Sequence, residues 1–256
     1  MRRKSDLMAA STQKMVEFRL DSLLKRTKVE EMKELLIEDD FKRVLVLSPH
    51  FDDDVISCFG AINAHVNKNH KVDIIYITDG SASEESGFSK EDLMQLRIKE
   101  ARNALEIISC KIGVYYLNKV DGEFKPDDAV VEYMGKLIME NKYDVIYCPH
   151  MKDGHRDHRM TALLLKMVLE KVSICPMILF YEFWLPLDNP NCYIPINELE
   201  EKKRQAILCH ESQIKYLDYA KLADMVNLYR GKQIGVESCE VYESMLKEEF
   251  LEKYKN

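Results

Sequence analysis

The sequence predicts an α/β fold, Rossmann-like, with a mostly parallel sheet flanked by helices. Short runs of β-branched and leucine residues recur along the chain: RVLVLSP (43–49), VDIIYIT (72–78), GVYYL (113–117), DVIYCP (144–149) and ILFYEF (178–183). Between them lie segments whose apolar residues return at three- and four-residue steps: 54–67, 91–108, 127–140 and 159–172. Strands that alternate with helices imply right-handed crossovers and parallel pairing.

Residues 13–38 carry Leu, Met, Val and Phe at helical spacing among charges, so an amphipathic helix is expected there. Pro49 ends the first strand, and Asp79-Gly80-Ser81 breaks the second. Gly80 to Lys90 is rich in Ser, Glu and Gly and reads as a loop. KDGHRDH (152–158) is a polar segment before the helix over 159–172. Beyond the fifth strand the chain reads as mostly helical, with a proline-bearing loop between Pro186 and Pro195. With no internal repeat, the expected division is an N-terminal helical extension over 1–40 and a single domain over 41–256.

Composition excludes several classes. An apolar content of 46% beside 32% charged residues suits a globular chain. A net charge of −7, with basic and acidic residues intermixed, argues against nucleic acid as a partner. Seven scattered cysteines, with no C-x-x-C pair, point to buried thiols in a reducing compartment, and so to a cytoplasmic location. The basic N-terminus lacks the apolar core of a signal peptide, and no apolar stretch reaches the length of a membrane span.

Chemistry concentrates in two polar clusters, each directly after a strand. The first is Ser48-Pro49-His50-Phe51-Asp52-Asp53-Asp54; the second runs from His150 through Asp153, His155 and Asp157 to His158. In an open parallel sheet, loops at the carboxyl ends of strands share one edge, so the two clusters can meet. His50 and Asp53, three residues apart where a strand turns into a helix, can point the same way, and His158 adds a second imidazole. Two histidines and one carboxylate leave a coordination position open for water, as in a catalytic zinc site. Asp52 then remains as a candidate general base. The bland alternative, acids merely capping a helix, accounts for neither their number nor His50.

SPHFDDDV resembles the P-H-P-D-D-E signature of the LmbE-like, PIG-L family of N-acetylglucosaminyl deacetylases, and DGHRDHRMT is similar to its G-H-x-D-H motif. Thr78-Asp79-Gly80, Arg97 with Glu100, Asp121-Gly122, YEFW (181–184), HESQ (210–213) and YRG (229–231) extend the resemblance over roughly residues 42–245. It implies an LmbE-like fold and a zinc-dependent N-deacetylase acting on an amino-sugar substrate. By resemblance His50, Asp53 and His158 are the metal ligands and Asp52 the base. His155, protonated, would stabilise the tetrahedral intermediate, with Asp157 holding its imidazole. Arg97 and Asp121 would contact the sugar. Fe2+, Co2+ or Ni2+ would also suit the donors. Phe51, Asp54 and Arg156 depart from the family pattern without removing a ligand.

Competing readings are an amidohydrolase acting on a non-sugar amide and a non-catalytic metal-binding relative. A nucleotide-binding protein would need a glycine-rich turn after the first strand, where this chain has His-x-Asp-Asp-Asp. Residues 1–40 are expected to serve either as a subunit contact, giving a homo-oligomer, or as a covering helix. His65 and His70 are read as surface residues and His150 as support for the site; His210 reads as a structural histidine, with pocket lining as the alternative, and Trp184 as core, with sugar stacking at a pocket mouth as the alternative.

Overall fold

Val44 and Val46 turn to one side of their strand, Leu45 and Leu47 to the other, and all four are fully buried. A strand buried on both faces must lie within a sheet covered by helices above and below. A computed structural model describes residues 32–38, 40–82, 87–109 and 111–255. In chain order the elements are β1 (Lys33–Glu34), β2 (Arg43–Ser48), α1 (Asp53–Asn67), β3 (Lys71–Thr78), α2 (Lys90–Glu106), β4 (Gly113–Lys119), α3 (Asp128–Asn141) and β5 (Val145–Pro149). They continue with α4 (Arg156–Leu169), β6 (Met177–Tyr181), β7 (Cys192–Pro195), α5 (Glu200–Leu208), α6 (Glu211–Ile214), α7 (Tyr219–Ile234), β8 (Cys239–Leu246) and α8 (Lys247–Lys253).

These strands form one mixed sheet in the order β1-β7-β8-β6-β5-β2-β3-β4, with β8 antiparallel to both neighbours and every other pairing parallel. One face packs Val44, Val46, Ile74 and Tyr76 against Val55, Phe59 and Ile62 of α1 and Ala101 and Ala104 of α2. The other packs Leu45, Leu47, Ile75 and Ile146 against Val131, Met134 and Leu137 of α3 and Leu164, Leu165 and Val168 of α4. From β2 the chain winds outward through β3 to β4, then returns to place β5 on the opposite side of β2. The carboxyl ends of β2 and β5 therefore flank a topological switch point, where such sheets leave a crevice.

The structure departs from the sequence expectation in four places. Residues 33–34, expected to close the helix over 13–38, are instead a strand paired to Cys192 and Tyr193; the rest of that helix, 13–31, lies outside the described residues. β7 and β8 replace the expected loop and helix. α4 begins three residues early, which puts Asp157 and His158 in its first turn. His65 is fully buried rather than on the surface. The six described cysteines are all free, four of them buried, and among the described residues no helix is long and apolar enough to cross a membrane.

Candidate active site

The turn after β2 is shaped by its own polar side chains. Ser48 Oγ donates to the His50 carbonyl (2.7 Å) and accepts from Asp54 N (3.1 Å). Thr78, at the end of β3, donates to the Pro49 carbonyl from both its amide and its hydroxyl, at 2.9 Å each. Asp53 Oδ2 accepts from His50 N at 2.8 Å and lies 3.0 Å from His50 Nδ1, so the two side chains are locked together. Asp54 is buried on the other side, taking a hydrogen bond from Tyr76 Oη (3.1 Å); burial raises its pKa to about 8, so it stays protonated at neutral pH.

The loop after β5 brings the second cluster to meet the first. The His50 and His158 ring centroids are 5.5 Å apart, and His155 lies 4.7 Å from His50 and 5.3 Å from His158. Asp53 bridges the two clusters, its second oxygen 3.2 Å from His158 Nε2. Burial opposes charge on His158, but Asp53 and Asp153 draw its pKa up to about 9. Burial likewise opposes charge on Asp53, yet His158 and His50 hold its carboxyl well below the usual range.

This donor set fits a divalent cation. Among the described residues, His50, His155 and His158 bring donor atoms within 4.8 Å of one another, as do His50, Asp121 and Asp157. Both ring nitrogens of the fully buried His158 lack a well-formed hydrogen bond, which is costly unless a further partner is taken. The surrounding acids favour positive charge at His50 and His158, as they would favour a bound cation.

Asp157 is placed differently from its expected use. Its backbone amide donates to His155 Nδ1 (3.3 Å), while its carboxylate accepts from Gly122 N (2.7 Å). An accepting Nδ1 leaves the ring proton on Nε2, so the geometry favours neutral His155, in place of the protonated ring expected from the sequence. Burial, reinforced by His50 and His158, lowers the His155 pKa in agreement. Arg156 donates to the Gly122 (2.7 Å) and Glu123 (3.2 Å) carbonyls, so α4 holds the turn that presents Asp121. Gly122 has φ +77°, a conformation that favours glycine.

Asp121 Oδ1 lies 3.3 Å from His50 Nε2, and Arg97 Nη1 and Nη2 approach Asp121 and Asp52 at 3.6 and 3.5 Å. Against the opposing effect of burial, His50 and Arg97 pull the Asp121 pKa down to about 2. The groups surround a cavity of about 220 Å3 whose far wall is Phe183, Trp184 and Tyr219.

Sequence reasoning missed three contributors. Asp153 accepts from His155 N (2.8 Å) and lies 3.4 Å from His158 Nδ1, orienting that ring from behind. Gln213 and Tyr219 line the cavity. HESQ in the sequence hinted at Gln213; nothing local marked Asp153 above its polar neighbours. His210, read as structural, is buried with both ring nitrogens unpartnered.

Comparison with known proteins agrees with this geometry. Residues 45–169 match the family described as GlcNAc-PI de-N-acetylase, PIG-L. The chain is 27% identical over 220 residues to the diacetylchitobiose deacetylase of Thermococcus kodakarensis, covering 77% of this chain and 80% of that protein. Its fold is similar to N,N'-diacetylchitobiose deacetylase from Pyrococcus horikoshii, with TM-score 0.73, 22% identity and coverage of 93% and 94% of the two chains. It is similar also to GalB, the 4-carboxy-2-hydroxymuconate hydratase of Pseudomonas putida, with TM-score 0.69, 19% identity and coverage of 79% and 96%. The segment that matches the PIG-L family runs from β2 through α4 and holds both histidine clusters.

Proposed function

We propose that this protein is a zinc-dependent hydrolase that removes the acetyl group from an N-acetylated amino sugar, with residues 41–256 acting as one catalytic domain. The observation that carries the reading is the meeting of His50, Asp53 and His158 beside Asp52 and His155 at one small pocket. Because a hydratase shares the fold, the choice of reaction rests on these side chains and on the 27%-identical deacetylase rather than on the sheet.

In this reading His50, Asp53 and His158 hold the ion, and His155 and Asp52 face the scissile amide. A divalent cation there would supply Lewis acidity, polarising a carbonyl and acidifying water. Asp52 accepts the proton of the attacking water. His155 donates from Nε2 to the carbonyl oxygen as that atom gains charge, a contribution worth roughly 3–4 kcal/mol for one such donor. Asp52 then returns the proton to the departing nitrogen, and acetate and a free amine leave. Arg97 and Asp121 are placed to hold sugar hydroxyls, with Asp157 and Arg156 fixing the Asp121 turn. Free, mostly buried cysteines support a cytoplasmic setting.

The test is to incubate zinc-loaded protein with N-acetylglucosamine derivatives and assay freed amine. Stoichiometric amine and acetate support the reading; their absence across a panel of acetamido sugars, with metal bound, refutes it. Metal analysis of protein purified without added zinc identifies the ion, since iron, cobalt and nickel suit the same donors.

A further inference from the structure

The loop from Glu182 to Leu187 is held far more rigidly than an exposed connection requires. Glu182 is buried, its two carboxylate oxygens accepting from Arg230 Nε (2.7 Å) and Nη2 (2.5 Å). The same carboxylate accepts from Leu187 N (2.6 Å), and Arg230 donates to the Leu187 carbonyl (3.1 Å). Ser57 Oγ donates to the Glu182 carbonyl (3.2 Å), and His150 Nε2 reaches the Leu185 carbonyl (3.0 Å). Both ends and the middle of the loop are thus fixed. What it presents is Trp184, a residue that remains 39% exposed and lines the cavity.

The indole is oriented by rings on three sides. Tyr219 meets it edge-on at 6.1 Å and 87°, Phe183 packs at 5.0 Å, and His155 lies 6.2 Å away at an interplanar angle of only 30°. The cavity, about 220 Å3, is smaller than the roughly 300–1,000 Å3 that encloses a drug-sized ligand. It has room for one sugar ring with its acetamido group, and a second unit would rest on the lip. Arg97, the only arginine or lysine in the described lining, lies within 3.6 Å of both Asp52 and Asp121 and is not free to meet an anion.

We propose that Trp184, backed by Tyr219, is a preformed stacking platform for a second, uncharged ring joined to the acetamido sugar. The substrate class is then a neutral di- or oligosaccharide rather than a free monosaccharide or a phosphorylated sugar. This rests on the deacetylase reading above. A sugar's C–H face laid on an indole is bound through buried apolar area, and a platform already ordered loses little entropy on binding.

Trp184 is the single tryptophan of the chain, so its emission reports on this ring alone. Zinc-loaded protein is titrated with N-acetylglucosamine and with N,N'-diacetylchitobiose while fluorescence and acetate release are followed in parallel. Saturable change in emission at a disaccharide concentration at least about tenfold lower than for the monosaccharide supports the platform. Trp184→Ala should reduce kcat/KM for the disaccharide at least about tenfold more than for the monosaccharide, chiefly through KM, and Trp184→Phe should restore most of the difference. Acetate release with silent tryptophan emission, or equal losses on both substrates, overturns the platform and leaves the hydrolase. Saturable emission without acetate release overturns the hydrolase and leaves the platform.

Discussion

At Asp52 the geometry separates holding an ion from using it. Asp53 gives one oxygen to each of His50 and His158, whereas Asp52 Oδ1 faces Arg97 Nη2 at 3.5 Å. Asp52→Asn should therefore retain metal while turnover falls by roughly 10²–10⁴, the usual worth of a placed acid–base group. Metal content after gel filtration, set beside acetate release, decides it; an Asn variant with wild-type turnover removes Asp52 from the chemistry. His158→Ala should do the opposite. It deletes a donor and leaves Asp53 and Asp153 facing each other without their cation, so the variant should lose bound metal on dialysis against a weak chelator that leaves the wild type loaded.

Helix α1 is two pieces joined at Cys58, whose φ −131° and ψ 15° leave the helical region. The first turn carries the site acids; the second piece begins at Gly60 and Ala61, whose amides donate to Glu240 of β8 at 2.9 and 3.1 Å. Gly60 is required there, because a Cβ would lie 2.5 Å from Ile196 Cγ2 and 2.9 Å from Glu240. Lys203 Nζ, 2.8 Å from Glu240 and equally buried, balances the charge. Glu240→Gln strands that lysine, so urea unfolding should show a loss of about 3–5 kcal/mol; a loss under about 1 kcal/mol would mean that Glu240 is not the cap. None of this could be read from CEVYESML, which falls in the stretch expected to be mostly helical, and the two-residue β1 has only its backbone pairing to define it. By contrast β2, β3 and β5 were legible because both their faces are apolar. The clusters around His50 and His158 were legible because each follows the end of such a strand. Asp153, the Asp157 carboxylate and the Glu182–Arg230 pair escaped, because their use depends on partners brought close only by the fold.

Across the whole molecule, the dependence of stability on pH should carry the mark of His65. Fully buried in the last turn of α1, its ring lies 2.9 Å from Tyr147 Oη of β5 and 3.0 Å from His70 Nδ1 just before β3, tying the helix to two strands. Burial, aided by His70, pushes its pKa down to about 3. An unfolded histidine titrates near ~6.5, so between that pH and about 3 the unfolded chain binds a proton that the native ring refuses. Stability from this residue is thus intact above pH ~6.5 and declines on acidification, by up to about 1.4 kcal/mol per pH unit, until the folded ring itself protonates. His65→Gln abolishes the titration. The variant should be less stable than wild type at pH 7.5, because Tyr147 and His70 lose their shared partner. That gap should shrink by about 1–2 kcal/mol between pH 6.5 and 5 as the wild type alone incurs the histidine penalty. Urea titrations of both proteins in the same buffers measure the gap directly, and shifts common to other groups cancel in the difference. A gap constant with pH would show that His65 protonates as readily in the native protein as in the unfolded chain.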